Sequence, residues 1–556
     1  MFRTPVQRIA TVGAAVLVAG AVAVPAFASA AQPAGHRGDA RTRHVLLLSV
    51  DGLHETDLAW YAAHYPGSAL AALVHGGTDY TNAETTLPSD SFPGMVAQVT
   101  GGNPGTTGIY YDDTYNHALL PAGTTSCAGV APGAEVAMTE AADINLNSID
   151  AGQGLAGLPG SILQMSGTPQ DLINPASLPV DPATCKPVYP DQYLKVNTIF
   201  EVAHSHGLVT AWSDKHPAYS ILDGPSGTGL DDLFAPEINS NALGYPAGND
   251  WTTDNAATMQ YDNYKVEAVL NWIDGYNHSR TARIGTPAIF GMNFQTVSTG
   301  EKLPVSDGLT GGYLPGGVTP GPLLTRSLDF INTEVGRMVS QIRKDGLADS
   351  TTIILSAKHG QSPTDSAALT RIPDGPVISA LDAAWAAAHP SAPPLVAFST
   401  DDDVMQLWLS DRSQAAAGFA KHFLLTHPAT GNTVSGSART LPASGLAKVY
   451  AGAESARLFG VPAGDPRHAD IFGLVQHGVV YTGGKGKIAE HGGGDTQDRH
   501  VALIVTELRD LGHGGEVDSH PVETTQIAPT ILHLLGLDPD ALRAVRIEHT
   551  KTLNVR

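Results

Sequence analysis

The sequence predicts an α/β fold: a central, largely parallel sheet flanked by helices, with a small inserted cap domain. Three observations carry this reading. Apolar runs recur and stop at polar turns, helical patterns lie between them, and one Ala- and Pro-rich stretch interrupts the alternation. HVLLLSV (44–50) ends at Asp51-Gly52, TTIILSAKHG (351–360) ends at His359-Gly360, and HVALIVTE (500–507) has the same form, with GLVTAWSD (207–214) a weaker case. Continuous apolar runs of this length suit strands buried on both faces of a parallel sheet, and their alternation with helices argues for one. Ligands in that architecture bind where strands end, and both Asp51 and His359 fall there.

Among the helical patterns, LLTRSLDFINTEVGRMVSQIRKDGL (323–347) is the longest, with Gly346 as its stop. Residues 366–465 contain an alternating segment, DVMQLWLS (403–410), a helical stretch (413–425) and several Gly/Ser turns, and read as a cap over the site. After them HADIFGLVQHG (468–478) returns to the sheet-like pattern, and TTQIAPTILHLLGL (524–537) reads as an amphipathic helix interrupted early by Pro529. The expected organisation is therefore a signal peptide (1–30), a flexible N-terminus (31–42), a catalytic α/β domain in two parts (43–365 and 466–546) and the inserted cap (366–465).

The signal peptide rests on Arg3 and Arg8, the apolar stretch from Ile9 to Ala23, and small residues at Ala28-Ser29-Ala30. No later apolar run reaches the roughly 18–20 residues of a membrane span, so a secreted or extracytoplasmic protein with no membrane span is expected. Acidic residues outnumber basic ones 54 to 32, for a net charge of −22. No basic cluster offers the footprint of a stable nucleic-acid complex. A small phosphate ester remains a possible partner, given local positive charge from metal ions or single lysines. The only cysteines, Cys127 and Cys185, read as a disulfide stapling a Gly/Pro-rich excursion (118–190), worth about 4 kcal/mol by loop closure.

Four separated segments carry reactive side chains at turns. Ser91 precedes a helix-like stretch in LPSDSFPGMVAQVTGG (87–102). A hydroxyl there faces unpaired N–H groups that favour an alkoxide and a phosphoryl oxygen, while Ser91 or Ser89 equally suits an ordinary N-cap. Asp51 either holds a cation that offsets its burial or caps the next turn. His359 in KHG and His491 in EHGG are imidazoles beside glycine, the pattern of a metal ligand whose chain turns closely around an ion, and equally of a structural histidine.

Together VDG (50–52), SFPG (91–94) with VTGGNPGTTGIYYDD (99–113), AKHG (357–360) and EHGG (490–493) resemble, in order and spacing, the alkaline phosphatase superfamily and its type I phosphodiesterase/nucleotide pyrophosphatase branch. The resemblance implies an alkaline-phosphatase-like fold and a metal-bound hydroxyl nucleophile that is transiently phosphorylated. By position, Asp51 matches the first metal-binding carboxylate and Ser91 the nucleophile, usually threonine. His359 matches a ligand of the same metal and His491 a ligand of the other. Asp112 falls where the branch usually has an asparagine that contacts the transferring phosphoryl group.

Two departures qualify this. Lys358 stands where the family has a metal-binding aspartate, and a charged lysine cannot be a ligand. Between 200 and 345 no convincing pair of a carboxylate with a histidine four residues later marks the other metal's ligands; AWSDKH (211–216) and GMNFQTVSTGEK (291–302) are the closest functional-looking stretches. The expected activity is a metal-dependent phosphoric ester hydrolase cutting phosphodiester or pyrophosphate bonds through a phosphorylated Ser91. It would use one or two divalent ions, zinc by the Asp/His donor set, with Lys358, aided by Lys215 or Lys302, replacing one metal's charge. Asp112 either contacts the substrate or becomes a ligand. The alternatives are a phosphomonoesterase of the same superfamily and a binding protein with a degraded metal site.

Overall fold

A computed structural model describes residues 42–555 apart from positions 483 and 485. The expected signal peptide and all but the last residue of 31–42 lie outside the described residues. The main sheet has eight strands, in the order Glu516–Asp518, Thr78–Tyr80, Leu503–Glu507, Thr351–Ser356, His44–Val50, Ile289–Phe294, Thr210–Ser213, Asp232–Phe234. Leu503–Glu507 runs antiparallel to both neighbours and every other pairing is parallel. An apolar run alone carries no direction, which is why 500–507 reads like its parallel counterparts.

The central strand shows why such runs are continuous. Leu46, Leu48 and Val50 pack into one core on one face of the sheet, and Val45 and Leu47 into another on the opposite face. The helix Pro322–Lys344 buries Leu324, Leu328, Ile331, Val335, Met338 and Ile342 against the first core, the three-and-four spacing of one helical stripe. Past its end Gly346 adopts φ 72°. Pro529 does not interrupt its helix. Ile527–Leu534 starts two residues before it, so Pro529 lies in the first turn, where its missing N–H is no loss.

The inserted region forms two four-stranded sheets that take in strands from beyond residue 465. One runs Ala438–Leu441, Ala429–Asn432, Thr370–Ile372, Val479–Tyr481; the other runs Val396–Asp401, Val404–Leu409, Ile471–Val475, Leu446–Ala451. The segment 468–478 thus completes a small sheet rather than re-entering the main one, because Ile471 and Val479 pack with Leu407 and Leu381. Cys127 and Cys185 form the expected disulfide. Among the described residues no helix is long and apolar enough to cross a membrane.

Candidate active site

Strand register brings the site together. Ser49 is paired with Asn293 on one side and with Ser356 on the other, so the chain segments leaving these three strands, with Asp51, Gln295 and His359, emerge at one sheet edge. Ser91 comes from the helix Ser91–Thr100, whose N-cap is Asp90; the Asp90 side chain accepts from Phe92 N at 3.1 Å. Ser91 is therefore the first helical residue, not the cap, and its hydroxyl is free for other partners. The helix can sit this close because residue 94 is glycine: a Cβ there would lie 2.3 Å from the Lys358 carbonyl oxygen. Gly360 also serves packing rather than a turn, since its Cβ would lie 2.1 Å from the Gln497 carbonyl oxygen.

Ser91 Oγ lies 3.3 Å from Asp51 Oδ2, 3.1 Å from His359 Nε2 and 2.8 Å from Lys215 Nζ. Lys215 also donates to Asp51 Oδ2 at 3.2 Å, Gln295 Nε2 donates to the same oxygen at 2.5 Å, and Asn293 Nδ2 donates to Asp51 Oδ1 at 2.7 Å. Asp51 is fully buried. Burial opposes its charge, but the ammonium groups of Lys358 and Lys215 and the His359 ring outweigh it and hold the carboxyl well below the usual range. Lys215 is shifted the other way. The carboxylates of Asp51, Asp90, Asp214 and Asp112 overcome its desolvation and raise it, so it stays an ammonium. His359 is lowered by burial. Its Nδ1 lies 2.9 Å from the Gly360 carbonyl, which can only accept, so the neutral ring carries its proton there and turns the Nε2 lone pair to Ser91.

Lys358 lies elsewhere. Its ammonium is wholly buried, donates to Asp214 Oδ1 at 2.7 Å and Tyr219 Oη at 2.8 Å, and is absent from the lining of the site's cavity. That cavity, about 200 Å³, is lined by Ser91, Asp112, Lys215, Gln295, Lys302 and His491 among others, with Asp402 supplied by the inserted region. Lys302 donates to Glu490 Oε2 at 2.8 Å. The His491 ring lies 3.8 Å from that of His359 between centroids, and its Nδ1 has no hydrogen-bond partner. Asp112 is pushed well above the usual carboxylate range by burial and by the nearby carboxylates of Asp90 and Asp113.

Sequence reading gave Lys215 only an auxiliary part and did not single out Gln295 or Asn293. The signal was available: Asn293 and Gln295 end an apolar strand as Asp51 does, but an amide at a strand end attracts no notice when carboxylates and imidazoles are sought.

The donor atoms fit one divalent ion. Ligands about 2.0 Å from a tetrahedral ion stand about 3.3 Å apart, and Asp51 Oδ2, Ser91 Oγ and His359 Nε2 are separated by 3.1, 3.3 and 3.6 Å. They do not fit a second. Among the described residues, the groups of three or more His, Asp or Glu able to surround an ion are His54/Asp57/Glu301 and Glu140/His216/Glu237, and neither includes His491.

The family model for type I phosphodiesterase / nucleotide pyrophosphatase matches residues 45–401. No curated protein matches the sequence. Murine ectonucleotide pyrophosphatase / phosphodiesterase 5 is similar in structure over 89% of this chain and 96% of its own, at 10% identity and a TM-score of 0.51. Its inactive form in complex with AMP matches with the same figures. Wild-type alkaline phosphatase PafA covers 90% of this chain and 96% of its own, at 15% identity and a TM-score of 0.56. At these identities the structures establish a shared fold, and the family model, spanning more than half of the sequence, establishes kinship: the chain belongs to the type I phosphodiesterase / nucleotide pyrophosphatase family and is a phosphoric ester hydrolase.

Proposed function

We propose that the protein cleaves phosphodiester or pyrophosphate bonds of small nucleotide-like esters through a phosphorylated Ser91. The observation that carries this is the convergence of a base, an ammonium group and a carboxylate on one hydroxyl, Ser91 Oγ, at the wall of a cavity. The murine relative solved with AMP supports the substrate class. The Cys127–Cys185 disulfide supports an extracytoplasmic location.

Ser91 gives its proton to His359 Nε2 as its oxygen attacks phosphorus. The Oγ–P bond forms, the bond to the leaving oxygen breaks, and that oxygen takes up the proton. Water then attacks phosphorus and gives a proton to His359 Nε2, the Ser91 Oγ–P bond breaks with that proton passing to Oγ, and the product leaves as a phosphate monoester. Lys215 donates to Oγ and stabilises negative charge on it at the start of the reaction and again when the serine departs. Asp51 orients Lys215 and holds its charge. Lys358 touches neither nucleophile nor cavity, so its role is to balance Asp214 and, through space, Asp51. A zinc ion held by Asp51, Ser91 and His359 would occupy the Nε2 lone pair, so it would lower the hydroxyl pKa in place of that base and polarise the phosphoryl group. Asp112, kept protonated by its surroundings, is a neutral hydrogen-bond donor and does at this position what an asparagine amide does.

Four outcomes test this reading. S91A protein, folded as judged by circular dichroism, loses about 10⁴-fold or more in kcat towards aryl phosphodiesters; undiminished turnover removes Ser91 as nucleophile. K215M lowers kcat by about 10²–10³-fold, the usual cost of one lost charge-stabilising donor, and an unchanged kcat refutes its role. D112N keeps kcat/KM within about threefold while D112A loses about 10²-fold; equal losses in both would show that Asp112 acts as a carboxylate. Chelation lowers turnover and zinc restores it, whereas full activity of chelated, metal-free protein would show that Lys215 and His359 suffice.

A further inference from the structure

A second group of ligand-type side chains flanks the same cavity. Glu140 opens the short turn Glu140–Ala142, and Asp143 follows it. His216 comes directly after Lys215, and Glu237 lies in the loop beyond Asp232–Phe234. Ligand atoms of Glu140, His216 and Glu237 all lie within 4.8 Å of one another. His216 Nδ1 is 2.8 Å from Glu237 Oε1, which also accepts from Asn239 N at 2.8 Å. Glu237 is wholly buried, His216 is 5% exposed, and Glu140 is half-buried.

Asp143 is the independent observation. It is 4% exposed, no donor group among the described residues reaches either oxygen, and burial followed by the Glu237 carboxylate beside it and then Glu140 push it up to about 11, so in the absence of a cation it holds a proton against Glu237. Acceptors facing acceptors in a dry site are unfavourable unless something positive lies between them. Among the described residues no lysine or arginine pairs with Glu140, Asp143 or Glu237, and the adjacent Lys215 is committed to Asp51 and Ser91.

We propose that Glu140, His216 and Glu237 bind a divalent cation at the wall of the active-site cavity, separate from the Asp51/Ser91/His359 triangle. The cation takes the place of the proton between Glu237 and Asp143 behind it. Three carboxylates supply the compensating charge, and the imidazole selects a first-row ion such as manganese or zinc over calcium or magnesium. Glu140 and His216 line the cavity together with Ser91, so the ion gives an acidic wall a positive point facing the substrate. Binding itself does not rest on the phosphoryl-serine reading.

The test is calorimetric titration of chelator-stripped full-length protein with Mn²⁺, Zn²⁺, Ca²⁺ and Mg²⁺, in a D51N/H359Q background that removes the ligands beside Ser91. Mn²⁺ or Zn²⁺ is expected to bind this background at a single site and to raise its melting temperature. Adding D143N or E140Q should weaken binding by at least about tenfold. Both changes are isosteric, and the half-buried Glu140 provides a folded variant if D143N is unstable. The proposal is overturned if the folded D51N/H359Q protein binds neither Mn²⁺ nor Zn²⁺, if affinity is the same with and without D143N and E140Q, or if Ca²⁺ or Mg²⁺ binds more tightly than both. Because the readout is binding rather than turnover, it stands or falls separately from S91A.

Discussion

A carboxylate with no access to water stands at the end of the central strand, and the rest of the site follows from satisfying it. Asp51 receives an ammonium and two side-chain amides. A charge buried this deeply is tolerated only when it is paired and hydrogen-bonded. The partners come from two other segments: Asn293 and Gln295 lie at the end of the parallel strand beside the central one, and Lys215 follows the next parallel strand beyond it.

The two consecutive residues Asp214 and Lys215 divide the work. Lys215 reaches Asp51 and Ser91, while Asp214 turns to Lys358. The result is two crossed ion pairs, Asp51 with Lys215 and Asp214 with Lys358, with no net charge between the four groups. Losing one member of either pair would leave its partner buried and uncompensated, a cost of about 3–5 kcal/mol. Lys358 cannot simply replace a metal beside Ser91, because two ammonium groups at one dry position would repel each other. The fold places one lysine at the nucleophile and anchors the other behind it.

Much of this was legible in the sequence. The apolar runs located four strands of the main sheet, and the turns after them marked Asp51 and His359. Tertiary packing decided what local pattern does not encode: the antiparallel direction of Leu503–Glu507, the capture of 471–481 by the small sheets, and the direction in which each lysine points. The Lys358 side chain enters the interior towards Asp214 and Tyr219, whose proximity to it is set by strands more than a hundred residues away. Lys215, in a stretch without the expected ligand spacing, turns out to touch the serine.

The substitutions that separate this site from its family's pattern are consistent with one another in charge. An aspartate at position 358 would help neutralise an ion; a lysine there, paired with Asp214, leaves Asp51 as the only carboxylate among the described residues within 3.6 Å of His359 Nε2. With fewer anionic ligands the site holds less positive charge, and an additional anion at position 112 would then repel a phosphate ester. Burial and the neighbouring carboxylates of Asp90 and Asp113 ease that difficulty, because they push the Asp112 carboxyl well above the usual range. A buried carboxyl at Asp51 held well below the usual range and one at Asp112 pushed well above it are thus two results of the same rule: ammonium groups neighbour the first and carboxylates the second.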